Sequence, residues 1–219
     1  MKLTRPEEKQ RAFTLTELVV VILTIGLLFG LTVPVLFQFI RKSQRITCVS
    51  NLKSIGLGSR IWRTDHGELF PTQAVANAVG STAKSAASTG KRVFEYFQPL
   101  SNELSTPKIL HCPSDVRGEA ANFFTLRNRN ISYFFGLDAD ETGPSFLLAG
   151  DRNLTTNGVP AGPGIVEITT NMTVGWTKEL HRFRGNVTLG DGSVQQFSHA
   201  QRPNFISTSG PAANRLIIP

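Results

Sequence analysis

Two aspartates and a histidine, Asp151, His181 and Asp191, have side chains that suit a small acidic or metal-binding site. The sequence has no nucleophile elbow, phosphate-binding loop or zinc motif around them, so it predicts no catalytic residues and no enzyme. A simpler interpretation is that the aspartates cap turns and that the histidine faces solvent. The residues alone leave both interpretations open.

The chain has two cysteines, Cys48 and Cys112, which are too few for a disulfide scaffold and have no CxxC or Cys/His metal spacing. In an oxidising compartment they can form one disulfide, and otherwise they are two separate buried thiols. The sequence leaves both alternatives open.

A carboxylate, Glu17, lies at the edge of a long apolar segment. Leu18–Phe37 is a run of 20 residues without a charged side chain, and a helix of about 20 apolar residues can span a membrane. A cleaved signal peptide has a shorter apolar stretch followed by a small-residue cleavage site, which this sequence lacks. The run therefore predicts a membrane helix. Glu17 is either an ordinary residue of the membrane interface or a functional charge whose burial in the membrane is energetically unfavourable.

The stretch around this carboxylate, residues 11–18, resembles the processing site of prepilins, the precursors of type IV pilins and type II secretion pseudopilins. A basic leader ends at a small residue, Phe13 follows, and Glu17 lies four positions further along. The family usually has Gly where this chain has Ala12, and an aliphatic residue where it has Thr16. Alanine is small enough for a constricted peptidase site, so slower cleavage is expected.

The resemblance implies three segments: a cytoplasmic leader at 1–12, the transmembrane half of a long helix at 13–40, and an amphipathic helix with a periplasmic domain at 41–219. Prepilin peptidase would cut after Ala12 and methylate the new amine of Phe13. The protein would then lie in the bacterial inner membrane, with its N-terminus cytoplasmic, before joining a filament.

The same resemblance assigns assembly roles to two residues of this helix. In the water-free filament core, Glu17 would pair with the Phe13 amine of a neighbouring subunit and set the axial register. Pro34 is either a passive kink or a point where the helix stretches during assembly. The implied partners are identical or related pilin subunits, the peptidase, an inner-membrane assembly platform and membrane lipid.

Sequence periodicity predicts the elements beyond the membrane segment. One helix is expected over 13–63, with Ile46, Val49, Leu52, Ile55 and Trp62 on its buried face. A flexible loop is expected over 74–92 and a helical turn over Val93–Phe97.

Short segments of period two predict an antiparallel sheet with one face buried on the helix, namely Ile131–Phe135, Phe146–Ala149, Gly164–Ile168, Asn171–Val174, Asn186–Leu189 and Val194–Phe197. Gly190–Gly192 predicts a hairpin turn. The expected fold class is α+β and pilin-like.

The second half also resembles a group of pilin-like proteins of Planctomycetes and Verrucomicrobia. The matching residues are Asn51 to Gly56 after Cys48, then Phe70-Pro71, Cys112 to Asp115, Leu148 to Asp151, and His181 with Asn186 and Asp191-Gly192. That group usually has His where this chain has Ser193. Some pseudopilins bind calcium in a C-terminal loop, but calcium takes six to eight oxygen ligands. Asp151, His181 and Asp191 supply only part of such a set, so no cofactor is expected.

Charge and composition narrow the function classes. The formal net charge of +7 is spread over the chain, and without a dense basic patch no nucleic acid partner is expected. Two functions remain. The first is a structural subunit of a type IV pilus or a type II secretion pseudopilus. The second is a membrane-anchored periplasmic binding or enzymatic domain that uses a pilin-type anchor.

Overall fold

The computed structural model describes residues 13–78, 92–140, 146–198 and 213–219; the predicted leader, with Ala12, lies outside them. The helices are α1 (Leu15–Asp65), α2 (Pro71–Ala78), α3 (Phe94–Phe97) and α4 (Ser101–Leu104), with 3-10 turns at Pro107–Leu110 and Asn128–Asn130. The strands are β1 (Tyr133–Gly136), β2 (Leu147–Asp151), β3 (Leu154–Thr156), β4 (Val159–Pro160), β5 (Gly164–Thr169), β6 (Val174–Trp176), β7 (Gly185–Leu189), β8 (Val194–Phe197) and β9 (Ala213–Ile218). The predicted α+β layout is confirmed.

Helix α1 begins with a capping box. Thr14 Oγ1 accepts a hydrogen bond from the Glu17 amide at 3.3 Å, and Glu17 Oε2 accepts one from the Thr14 amide at 2.9 Å. The helix ends where Gly67 takes a positive φ of 67° and the Glu68 amide bonds back to the Arg63 carbonyl at 3.0 Å. It runs without interruption through Pro34, although proline has no amide hydrogen to donate.

The chain divides into two compact units, with the boundary between Lys42 and Ser43. In the first unit every described residue, 13–42, is exposed, including the whole apolar run. By length and composition alone, α1 is apolar enough to cross a membrane and is a single candidate span among the described residues. Water does not solvate such a surface favourably, so it needs an apolar environment.

In the second unit one face of α1 is buried against the sheet. Cys48, Leu52, Ile55 and Trp62 belong to a core that also contains residues of β1, β2 and β9. The prediction for Ile46 was wrong, because this side chain is 57% exposed and Cys48 takes the buried position. Gly56 lets the helix approach β7 closely, since a Cβ there would lie 2.9 Å from a methyl group of Thr188.

The strands form two antiparallel sheets. The larger has the order β5-β9-β1-β2-β7-β8, and the smaller has the order β4-β3-β6. The hairpin turn between β7 and β8 is confirmed, and Gly192 adopts the positive φ of 82° that such a turn favours. The strand predicted over Asn171–Val174 was wrong, because only its last residue is in a strand and the preceding residues form a turn.

The strands β1, β2 and β7 of the large sheet are buried on both faces, where one buried face was expected. Tyr133 and Phe135 of β1 point to the helix side, while Phe134 joins a second core with Leu154, Trp176 and other residues of the small sheet. Alternate residues of a strand face opposite sides, so an unbroken aromatic segment serves both cores.

Two predictions concern the segment after α1, and one of them differs from the structure. The loop expected over 74–92 is helical as far as Ala78, because Pro71 at the first helical position favours a helix start; residues 79–91 lie outside the described chain. The helical turn predicted over Val93–Phe97 is confirmed as α3.

Candidate functional site

A disulfide lies at the centre of the second unit. Of the two alternatives that the sequence leaves open, the structure has the Cys48–Cys112 bond, with a Cα–Cα distance of 5.4 Å. Cys48 lies on the buried face of α1, and Cys112 follows the 3-10 turn Pro107–Leu110. The Cys112 amide donates to Ser132 Oγ at 3.0 Å. Both cysteines are completely buried, so the bond joins the helix to the chain that leads into the sheet.

The imidazole of His181 contacts this disulfide. Its Nε2 atom lies 3.4 Å from Cys112 Sγ and 3.7 Å from Asp151 Oδ2. His181 lies in the tight connection between β6 and β7, where Arg182 and Phe183 have positive φ values of 53° and 65°. Such a backbone is costly for side chains larger than glycine. The strained turn places an imidazole in the core, so of the two interpretations the solvent-facing one was wrong for His181.

The carboxyl group of Asp151, the last residue of β2, is also fully buried and caps no turn. Its Oδ2 atom accepts hydrogen bonds from the Asn186 amide at 2.8 Å and from Asn186 Nδ2 at 2.9 Å. Its Oδ1 atom has no hydrogen-bond partner within the described residues. A buried polar atom without a partner is unusual in a folded protein and calls for an explanation.

An arginine of α1 supplies positive charge at this place. Arg45 Nε donates to Asn186 Oδ1 at 3.3 Å, and its guanidinium also donates to the Phe197 carbonyl at 3.2 Å. Sequence reasoning missed this role, because an arginine at a polar position of an amphipathic helix gives no signal of a buried contact.

Burial shifts the pKa values of the two titratable groups in opposite directions. It raises the pKa of Asp151 to about 7, although the hydrogen bonds from Asn186 and the charge of Arg45 oppose the rise. Burial lowers the pKa of His181 to about 4, and the Arg45 charge acts in the same direction. At neutral pH the imidazole is therefore uncharged.

A buried ion pair holds the segment that follows Cys112. Arg152, next to Asp151 in sequence, donates from Nε to Asp115 Oδ2 at 2.8 Å and from its terminal nitrogen to Oδ1 at 3.0 Å. The same guanidinium also contacts Glu179, in the turn that carries His181, at 3.0 Å. Arg152 thereby ties the segments that carry Cys112, Asp151 and His181 to one another.

The structure brings together two of the three residues considered for an acidic site. Asp151 and His181 are neighbours, whereas Asp191 lies exposed in the turn at the far end of β7, where its carboxylate accepts from the Ser193 amide at 2.8 Å. Two sulfurs and an imidazole nitrogen meet instead, as Cys48, Cys112 and His181 have ligand atoms within 4.8 Å of one another. Such a donor set suits a zinc-like ion far better than calcium.

The predicted assembly residues lie in the other unit. Glu17 is exposed in the capping box, Phe13 is 80% exposed, and Pro34 lies within the continuous helix. The capping box adds a local role for Glu17 that its spacing from Thr14 would have revealed.

No protein-family model, curated protein or solved structure matches this chain.

Proposed function

We propose that this chain is a structural subunit of a type IV pilus or a type II secretion pseudopilus, matured by prepilin peptidase and assembled through α1. The observation that carries the proposal is the exposed apolar surface of residues 18–37, preceded by a single carboxylate. The processing-like stretch at residues 11–18 adds to it. Packing of such helices in a bilayer, and later in a filament core, removes this surface from water.

The disulfide supports a periplasmic position of the second unit. Disulfides persist in oxidising compartments such as the bacterial periplasm and are rare in the cytosol. The bond between Cys48 and Cys112 therefore favours an orientation in which the chain before α1 is cytoplasmic and residues 43–219 are periplasmic. Peptidase, assembly platform and neighbouring subunits are the partners that this arrangement requires.

The alternative function, a membrane-anchored binding or enzymatic domain, is favoured by a different observation. The buried side chains of Asp151 and His181, with the half-buried Arg45 beside them, include an unpartnered oxygen that a purely structural core does not need. Glu17 discriminates between the two functions, since a plain anchor has no use for its charge.

The capping box allows a clean test of that charge. In Glu17→Gln the amide still completes the box, so the helix start is kept while the charge is lost. In Thr14→Ala the box is lost while the charge is kept. We expect both variants to insert and to be processed to Phe13. The Gln variant should be sharply reduced in filaments because an unpaired buried amine costs about 3–5 kcal/mol.

The measurement is incorporation into sheared or crosslinked filaments in cells that have the assembly machinery, with intact mass to verify processing. Thr14→Ala should assemble almost like wild type. If Glu17→Gln assembles as well as wild type, the charge of Glu17 has no role in assembly, and the anchored-domain alternative is supported. Retention of residues 1–12 beside an active peptidase would contradict the processing step.

A further inference from the structure

We propose that the second unit contains a redox-gated metal site: when the Cys48–Cys112 bond is reduced, the two thiolates and His181 Nε2 bind one zinc-like divalent cation, with Asp151 as the fourth ligand. The site lies wholly within residues 43–219, so it does not depend on filament assembly.

The distance between Cys112 and His181 fits a tetrahedral site. Zinc binds thiolate sulfur at about 2.3 Å and imidazole nitrogen at about 2.0–2.1 Å, which places two such ligands about 3.5 Å apart. Cys112 Sγ and His181 Nε2 are already 3.4 Å apart, and Asp151 Oδ2 is 3.7 Å from the same nitrogen. With the sulfurs no longer bonded to each other, side-chain rotation of two cysteines whose Cα atoms are 5.4 Å apart opens the space between them.

The unpartnered oxygen of Asp151 is an independent indication of a ligand. Oδ1 is buried without a hydrogen-bond partner in the described parts of the chain, while Oδ2 is fixed by two hydrogen bonds from Asn186. Metal-binding carboxylates are held in this way by supporting hydrogen bonds. A cation that binds Oδ1 of Asp151 would give this buried oxygen the partner that it lacks among the described residues.

Charge balance favours the same conclusion. Two thiolates and one carboxylate carry three negative charges, and a divalent cation together with Arg45 carries three positive charges. A buried group of charges is tolerated when it is paired in this manner.

The redox step balances without an unnamed partner. A dithiol reductant transfers two electrons and two hydrogens to the disulfide, giving two cysteine thiols while the reductant becomes a disulfide itself. The cation then displaces one proton from each thiol. A disulfide oxidant reverses the step: it takes two electrons from the two thiolates and two protons from water and becomes a dithiol, while the Cys48–Cys112 bond forms again and the cation is released. Metal binding and the disulfide therefore exclude each other.

Cobalt(II) titration of the full chain in detergent tests the site. After anaerobic reduction with a dithiol and removal of the reductant, we expect one equivalent of Co²⁺ to bind, with the absorption of tetrahedral thiolate coordination, and Zn²⁺ to displace it. The oxidised protein and the Cys48→Ser/Cys112→Ser variant should give no such absorption. His66→Asn, which alters a histidine stacked on Trp62 outside the site, should bind like wild type.

Two ligand variants separate a metal ligand from a supporting residue. His181→Asn and Asp151→Asn should weaken cobalt binding more than the ~10–100-fold that loss of a supporting hydrogen bond costs, with unchanged circular dichroism as evidence of folding. Absence of cobalt binding by the reduced wild type would overturn the proposal. So would thiolate absorption in the Cys→Ser variant, or equal affinity in both ligand variants and wild type.

Discussion

The paired side chains of Asp115 and Arg152 make the fold sensitive to acid. Burial alone would raise the pKa of Asp115, but the hydrogen bonds and charge of Arg152 outweigh it and hold the pKa below its ordinary value. A carboxyl group with a lowered pKa stabilises the fold above its ordinary pKa, and this stabilisation is lost as the pH falls through the folded-state pKa.

We therefore predict that Asp115→Asn lowers the free energy of unfolding at pH 7 by about 3–5 kcal/mol, because it leaves Arg152 without its buried partner. The difference in the free energy of unfolding between variant and wild type should shrink as the pH falls below about 4 and through the lowered folded-state pKa of Asp115. Urea unfolding of the variant and of wild type at a series of pH values measures this difference in free energy. Glu179→Gln is the matched control, since the Glu179 side chain is 59% exposed and its ion pair contributes little. A deficit independent of pH would contradict the prediction.

Gly185 is a residue whose lack of a side chain is required by packing. A Cβ at this position would lie 1.9 Å from the ring of Trp176, which is itself 1% exposed and stacks on Phe197. We predict that Gly185→Ala displaces the indole and costs about 1–3 kcal/mol, as overpacking does. Thermal unfolding followed by tryptophan fluorescence measures the change. Gly118→Ala, where a Cβ meets nothing within 4 Å, should leave the melting temperature unchanged. Equal melting temperatures of the two variants would contradict the predicted clash with Trp176.

Part of the candidate site follows from residue types alone. Asp151 and His181 are candidates by residue type for an acidic or metal-binding site, together with Asp191, which lies elsewhere in the structure. The contact with Cys112 is not predictable, since it depends on a turn with two left-handed residues whose sequence has no glycine to signal it. Likewise, the strands that place Asn186 beside Asp151 pair across a connection of more than thirty residues.

At the scale of elements, local signals predict local structure well. The apolar run and the periodic segment after it give the bounds of α1 closely, and Gly190–Gly192 gives the β7–β8 hairpin. Strand β9 was missed because its partners β1 and β5 are distant in sequence and its polar Asn214 and Arg215 mask the alternation. The short strands β3 and β4 have too few residues to show a period.

The disulfide is the element-scale feature with the largest expected effect on stability. It joins α1 to the chain that leads into the sheet, across a sequence separation of 64 residues. In the chain-entropy model, closing a loop of this length stabilises the folded state by about 4 kcal/mol. We predict that reduction lowers the urea midpoint by a corresponding amount when a chelator is present. A Cys48→Ala/Cys112→Ala variant should unfold at the same urea concentration with and without reductant. If the reduced wild type has an unchanged urea midpoint, the disulfide does not stabilise the fold by restricting the conformations of the unfolded chain.

At the scale of the whole molecule, the two units differ in what keeps them in solution. Both hydrophobic cores consist of residues from Cys48 onward, whereas every described residue from Phe13 to Lys42 is exposed. The stability of the second unit therefore rests on its own sheet, helix face and disulfide. Solubility of the full chain depends on whatever covers the apolar surface of residues 18–37.

This difference predicts the behaviour of a chain that begins at Ser43. Without the apolar segment, residues 43–219 should remain soluble without detergent, form the Cys48–Cys112 bond and melt cooperatively, because no described buried residue has been removed. Size-exclusion chromatography and thermal unfolding, each with and without reductant, measure the outcome beside the full chain in detergent. As a control, a chain that begins at Leu52 lacks Arg45 and Cys48 and should melt at a lower temperature that reductant does not change. If the chain from Ser43 aggregates or unfolds without cooperativity, the first part of α1 contributes to the stability of the second unit, and the division at Lys42 is not a division in folding.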